Sequence, residues 1–374
     1  MKEADSRTSR RTYFFFNLGC HKNLVDADYS AAELERHGWT EVKDPSDAYL
    51  LVVTTCAFIQ AAEQESVDEI LRVASQKEDW QKLAVLGCLV SREGESLGPL
   101  LPEVDYFLPV ERMTDLFALA GRETVDGPVA AAGGAAARSA QGAARGRRFT
   151  PPHLAYMKIS EGCSNHCTYC TIPSIRGELS SRGADGIVKE AVELASLGVR
   201  ELVVIAQDTA AWGRERETGC DFYGLVRRIS DESGIEWIRL MYLHPAHIDP
   251  DRLAGLMESG LALRYADIPI QHANDRILRS MGRGYTREDL DSIFRDLRKR
   301  VEGIVLRTTV MAGFPGETEE EFLELVDFLQ EHRIDHVGAF AFSPEEGTPA
   351  FGMDGRIDGA TVTARVDEIS SMQL

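Results

Sequence analysis

The feature that most constrains this chain is a loop of three thiols set at the end of an apolar run. Ala155–Ile159 has the composition of a β-strand, and Glu161-Gly162-Cys163-Ser164-Asn165-His166-Cys167-Thr168-Tyr169-Cys170 follows directly on it. C-x3-C-x2-C supplies three thiolates from one short loop. Five more strand candidates recur downstream, at Glu201–Ala206, Trp237–Leu243, Tyr265–Ile270, Ile304–Met311 and His336–Phe342. Helical patterns lie between them at Gly186–Leu197, Phe222–Ser233, Pro250–Glu258, Arg287–Arg300 and Glu319–Glu331. Six βα units predict a partial, open TIM-like barrel, (βα)6, with its active site at the carboxyl ends of the strands.

The first part of the chain predicts a different α/β fold. Tyr13–Phe16 is a β-rich run, followed by turn residues and Cys20, and Asn23–His37 has helical spacing that ends at Gly38. Tyr49–Val53 and Leu83–Leu86 read as buried strands with Cys56 and Cys88 just beyond them. Ala61–Ala74 reads as helix, Asp105–Val110 as strand and Arg112–Ala120 as helix. This alternation predicts a doubly wound parallel sheet, in which ligands sit outside the carboxyl ends of the strands. One cysteine after a buried strand is ordinarily a small apolar residue. Three at equivalent positions point to one site.

The domain reading is therefore a disordered N-terminus over 1–11, an α/β domain over 12–126 and a core domain over 149–374. Between the domains, 127–148 is a flexible Ala/Gly-rich linker ending in Arg145, Arg147 and Arg148. The seven cysteines are an odd number, and no secretion signal precedes them, which favours metal binding or catalysis over disulfides. Cys220 is left over as a bystander thiol. No apolar run approaches the ~20 residues that span a bilayer, so the cytoplasm is the expected location. The net charge of −19 weighs against a phosphate-backbone binder and suits a basic protein partner.

Three protein thiolates on a [4Fe–4S] cluster leave one iron open. That iron can chelate the amino and carboxylate groups of S-adenosylmethionine (SAM) and pass an electron to its sulfonium. Zinc is the competing occupant, with His166 as a fourth ligand, but structural zinc normally takes two-pair spacing.

The loop, with Tyr169 before its last cysteine, resembles the signature of the radical SAM superfamily. A three-cysteine α/β domain upstream resembles the methylthiotransferase branch, which carries a second [4Fe–4S] cluster there. Leu18-Gly19-Cys20-His21-Lys22-Asn23-Leu24-Val25-Asp26 is similar to the RimO type, which methylthiolates a ribosomal protein. Ile172–Gly177, Ala206–Thr209, Leu240–Pro245 and Pro269–His272 are similar to it as well. The family usually has Pro at the position of His21. It normally ends in a β-rich TRAM domain, which is expected to be absent because the sequence stops at Leu374, by a helical pattern over Ala360–Gln373.

The resemblance implies two [4Fe–4S] clusters, on Cys20/Cys56/Cys88 and on Cys163/Cys167/Cys170, with SAM as methyl donor and radical source. It implies a methylthio group placed on the β-carbon of an aspartate in small-subunit ribosomal protein twelve, and a flavodoxin or ferredoxin-type electron donor. Candidate SAM contacts are Tyr169, Asp208, Gln271, His272 and Gly313, each with a structural alternative. Asp208 is equally a helix N-cap, Gln271 and His272 are strand-end residues, and Gly313 also suits a tight turn. Tyr169 would stack near adenine or exclude water from the cluster. The second reading is the same chemistry on a tRNA adenosine, and the third a non-catalytic iron–sulfur or zinc-binding protein. Net charge and the Leu18–Asp26 stretch favour the protein substrate.

Overall fold

The computed structural model describes residues 11–120, 149–216 and 219–372. The expected linker and, apart from Arg11, the expected disordered N-terminus lie outside the described residues. The chain divides into two units, one of residues up to Pro151 with Ser174–Arg176, the other of Pro152–Pro173 with Gly177 onward.

The first unit is a five-stranded parallel sheet of β1 (Thr12–Asn17), β2 (Thr40–Glu41), β3 (Leu50–Thr55), β4 (Lys82–Gly87) and β5 (Tyr106–Leu108), in the order β2-β1-β3-β4-β5. Helix α1 (His21–Arg36) follows β1, α2 (Gln60–Gln76) follows β3, and a short α3 (Cys88–Glu93) follows β4 directly. Every residue of β3 is buried, as in a parallel sheet covered on both faces. Alternate residues serve opposite layers: Leu50, Val52, Ala84 and Leu86 pack with Ala27, Ala31 and Leu34 of α1. Leu51, Val53, Leu83 and Val85 pack with Ile70 and Val73 of α2. The strand order reverses at β1/β3, the crevice where doubly wound sheets take ligands.

The second unit is a six-stranded parallel sheet of β6 (Leu154–Lys158), β9 (Glu201–Ile205), β10 (Trp237–Leu240), β11 (Tyr265–Asp267), β12 (Val305–Ala312) and β13 (His336–Ala341). Its order is β13-β12-β11-β10-β9-β6, wound steadily in one direction, with β6 and β13 left as edges rather than paired to close a barrel. Helices Phe222–Ser233, Pro250–Glu258, Arg287–Arg300 and Glu319–Glu331 coincide with the sequence reading. Each begins on a side-chain cap, from Asp221, Asp249, Thr286 and Thr318 respectively, so the start is written locally. The expected helix at Arg112–Ala120 is instead a 3-10 turn over Val110–Asp115 followed by Leu116–Ala120.

Sequence periodicity missed the hairpin of β7 (Ser160–Glu161) with β8 (Ser180–Ser181), helix Ile172–Arg176 and helix Asp275–Ser280. All are too short to show a period. Among the described residues no helix is long and apolar enough to cross a membrane.

Candidate functional site

In the first unit, Cys20 is the residue before α1, Cys56 follows β3, and Cys88 opens α3 after β4. The three strand ends are adjacent in the sheet, which brings the thiols together as the strand pattern implied. Asn23, one turn into α1 and buried, organises them. Its Nδ2 donates to Thr55 O at 2.8 Å, while its Oδ1 lies 3.7 Å from Cys88 Sγ and 4.0 Å from Cys20 Sγ. Ser66 of α2 holds the Cys56 backbone from both sides, accepting from its N–H at 3.0 Å and donating to its carbonyl at 2.8 Å. Arg176 donates to Asn23 Oδ1 at 2.5 Å, to Cys88 Sγ at 3.3 Å and to Asp26 Oδ2 at 3.1 Å.

In the second unit, the thiol loop leaves β6 through the β7/β8 hairpin. Gly162 has φ 70°, and a Cβ there would come within 2.2 Å of Glu178 O and 2.4 Å of Gly177 O, so the loop can cross this point only as glycine. Cys163 N–H donates to Gly177 O at 3.1 Å, and Thr168 is fixed by donating its N–H to Met281 O and its hydroxyl to Ser280 O. Cys167 packs with Tyr169, Ile277, Met281, Phe314 and Ala350. Arg283 Nη1 lies 3.3 Å from Cys167 Sγ.

Burial pushes the thiols of Cys56 and Cys170 up, to about 11 and about 12, and raises those of Cys88 and Cys163 too. Without metal these sulfurs hold their protons at neutral pH, and ligation would release them. Neither triad is among the groups of described residues whose ligand atoms all lie within 4.8 Å of one another, as one tetrahedral ion with Zn–S bonds of ~2.3 Å would need. Two sets of three cysteines, one in each unit, are the kind of donor set that an iron–sulfur cluster with one open iron takes.

A cavity of about 210 Å³ lies beside Cys163, with Ser164, Asn165, Asp208, Arg214 and His247 in its wall. Asp208 is almost wholly buried; its Oδ2 accepts from Asn165 Nδ2 at 2.8 Å and meets His247 Nδ1 at 2.6 Å, and its Oδ1 accepts from Ala211 N–H. Burial works to raise this carboxyl, but the His247 and Asn165 hydrogen bonds hold it below its ordinary value. Asp208 thus makes the cap-like bond and also orients two residues of the cavity. Gln271 stands at a barrel strand end with φ 66°, and its side-chain amide has no hydrogen-bond partner among the described residues.

The other three candidates are all buried. His272 is fully buried, with Nδ1 accepting from Asn274 N–H at 3.0 Å, so it presents no surface to a ligand. A Cβ on Gly313 would lie 2.5 Å from Val362, so its missing side chain makes room for helix Gly359–Ser371. The Gly313 and Phe314 N–H groups both donate to Glu317, which makes the tight turn. Tyr169 is buried, its hydroxyl 3.3 Å from Arg283, as a water-excluding wall would be.

Sequence reasoning missed Asn23, Asn165, Arg176, His247 and Arg283. Asn23, Asn165 and Arg176 lie inside the quoted motifs, which gave their place but not their role, and Arg283 stands between two glycines, both at φ 69°. Three of the four non-glycine residues with positive φ among those described, His166, Tyr242 and Gln271, follow the barrel strands, where backbone strain commonly marks function.

Residues 157–329 match the radical SAM superfamily, and residues 12–109 match uncharacterized protein family UPF0004. Over 96% of its length the chain is 40% identical to ribosomal protein uS12 methylthiotransferase RimO of Desulfosudis oleivorans, covering 82% of that protein. It is 38% identical, with the same two coverages, to the RimO of Carboxydothermus hydrogenoformans. Among solved structures it resembles the radical S-adenosylmethionine methyltransferase TsrM of Kitasatospora setae, with TM-score 0.66 at 18% identity, over 91% of this chain and 74% of that one. That likeness is one of fold. With relatives of this identity matched over most of both chains, and the radical SAM match over its second part, the chain belongs to the RimO family of radical SAM methylthiotransferases.

Proposed function

We propose that this enzyme inserts a methylthio group at the β-carbon of an aspartate in ribosomal protein uS12. In this reading Cys163, Cys167 and Cys170 hold the [4Fe–4S] cluster that meets SAM, and Cys20, Cys56 and Cys88 hold the second. The observation that carries it is the pair of thiol triads at the carboxyl ends of two parallel sheets. When bound, the clusters and SAM supply electron transfer, the methyl group, the sulfur and the radical chemistry.

The chain's own residues do the positioning. Gly162 and Thr168 fix the backbone of the thiol loop, and Ile277, Met281 and Phe314 pack with Cys167 and would keep water from a cluster there. Asp208, through His247 and Asn165, shapes the cavity beside Cys163, and the free amide of Gln271 is available to ribose or substrate. The net charge of −19 suits a basic ribosomal protein. A low-potential flavodoxin or ferredoxin would deliver the electrons, in the cytoplasm.

The test is iron and acid-labile sulfide on protein reconstituted without oxygen, followed by product analysis with uS12 and with tRNA. About eight irons per chain, two cubanes' worth, and a methylthio product on uS12 are expected. Cys167→Ala should abolish SAM cleavage. Cys56→Ala should retain cleavage and yield no methylthio product. Product from the Cys56 variant, or modification of tRNA in place of uS12, would overturn the reading.

A further inference from the structure

Each thiol triad has one buried cysteine, Cys88 in the first unit and Cys167 in the second, and each of these receives an arginine N–H at 3.3 Å. The two arginines differ in what else they touch. Arg176 is paired with the carboxylate of Asp26 at 3.1 Å. Arg283 has only neutral groups besides the sulfur: Nε donates to Tyr285 Oη at 2.7 Å, Nη2 to Pro269 O at 2.7 Å, and Nη1 lies 3.3 Å from Tyr169 Oη. Among the described residues it makes no ion pair, although it is only 6% exposed.

A guanidinium is charged at any working pH, and burying it without a counter-ion is costly because the charge loses its hydration. The negative charge that offsets it must come from the thiolates and whatever they ligate. A cluster on three thiolates gains one further negative charge when reduced, so an unpaired cation in contact with one of them favours the reduced form. The Arg176–Asp26 pair is neutral as a unit and exerts little of this pull on its own triad.

We propose that Arg283 is the counter-charge of the SAM-cleaving cluster, a positioning residue that acts through Cys167 to ease its one-electron reduction. The inference rests on the reading of Cys163, Cys167 and Cys170 as cluster ligands. One electron enters the cluster from a low-potential reduced flavin, ferredoxin or dithionite donor, which is oxidised by one electron. No bond forms or breaks at Arg283 and no proton leaves it.

The experiment is an EPR-monitored redox titration, without SAM, of the full chain carrying Cys20→Ala, Cys56→Ala and Cys88→Ala, so that the barrel cluster titrates alone. Arg283→Gln should lower the equilibrium constant for reduction at least tenfold, about 59 mV for a one-electron couple. Arg283→Lys, which keeps the charge, and Tyr285→Phe, which keeps the cation and removes one neutral partner, should each stay within threefold of the parent.

A parent-like midpoint in Arg283→Gln overturns the proposal. So does a tenfold loss in either conservative variant with iron retained, which would place the effect in the hydrogen bonds. If Arg283→Gln cannot hold iron, Arg283→Lys decides: iron retained with a parent-like midpoint keeps the charge as the requirement, and iron lost there too overturns the proposal. Failure of the parent to take up iron would sink the underlying cluster assignment instead.

Discussion

Asn23 joins the two sides of the first thiol site, with its amide nitrogen on Thr55 O and its amide oxygen facing Arg176, Cys88 and Cys20. A buried amide with both ends engaged cannot be replaced by an apolar isostere without stranding its partners. Asn23→Leu should therefore remove the amide's bonds to the Thr55 carbonyl and to Arg176 and destabilise the first unit by about 1–3 kcal/mol. Urea unfolding of the metal-free protein reads that loss, and iron retention reads its effect on the site; an unchanged midpoint in urea would contradict the role given to Asn23. Asn23 lies in the Leu18–Asp26 stretch that carries the resemblance, but helical spacing alone gives it no role. Its importance comes from partners more than thirty residues away, since Thr55 lies 32 positions on.

Among elements, the thiol loop of the second unit is the most constrained. The β7/β8 hairpin and the Cys163–Gly177 hydrogen bond press backbone carbonyls against Gly162, leaving no room for a side chain. Gly162→Ala combines a positive φ with a clash on backbone, so it should cost on the order of 1–3 kcal/mol. It should also lower iron bound at the barrel triad while sparing the first. Iron stoichiometry in the Cys20/Cys56/Cys88→Ala background separates the two sites. The six barrel strands and the long helices were legible beforehand, because a buried strand and a capped helix each carry a local pattern. The hairpin, Ile172–Arg176 and Asp275–Ser280 were not, because two to six residues are too few to carry a period.

At the scale of the whole molecule, buried histidines link stability to pH. Burial pushes His244 and His272 down to about 3, so both stay neutral in the fold. An unfolded histidine takes up its proton near the ordinary value of ~6.5. Between that value and about 3 the unfolded chain therefore binds more protons, and stability falls as pH drops. Each histidine contributes about 1.4 kcal/mol per pH unit over that window, roughly 2.7 for the pair. Urea midpoints at pH 7.5, 6 and 5 should fall in that order for the metal-free protein. Variants with His272→Asn should show a shallower slope, and an identical slope would contradict the burial argument.

The two α/β patterns, the six thiols and their place after strands were legible along the chain, because periodicity, caps and cysteine spacing are local properties. The sequence also carried enough identity to its relatives to specify the chemistry. Tertiary structure alone decided which side chains meet at the two thiol sites. His272 and Gly313 sit where any strand end or turn would put them, yet one is sealed in the core and the other gives way to Val362. Arg283 meets Cys167 across 116 residues and Arg176 meets Cys88 across 88; among the described residues no carboxylate pairs with the first, and Asp26 pairs with the second. Whether a buried cation is paired depends on what the fold brings within a few ångströms of it, and no spacing along the chain encodes that.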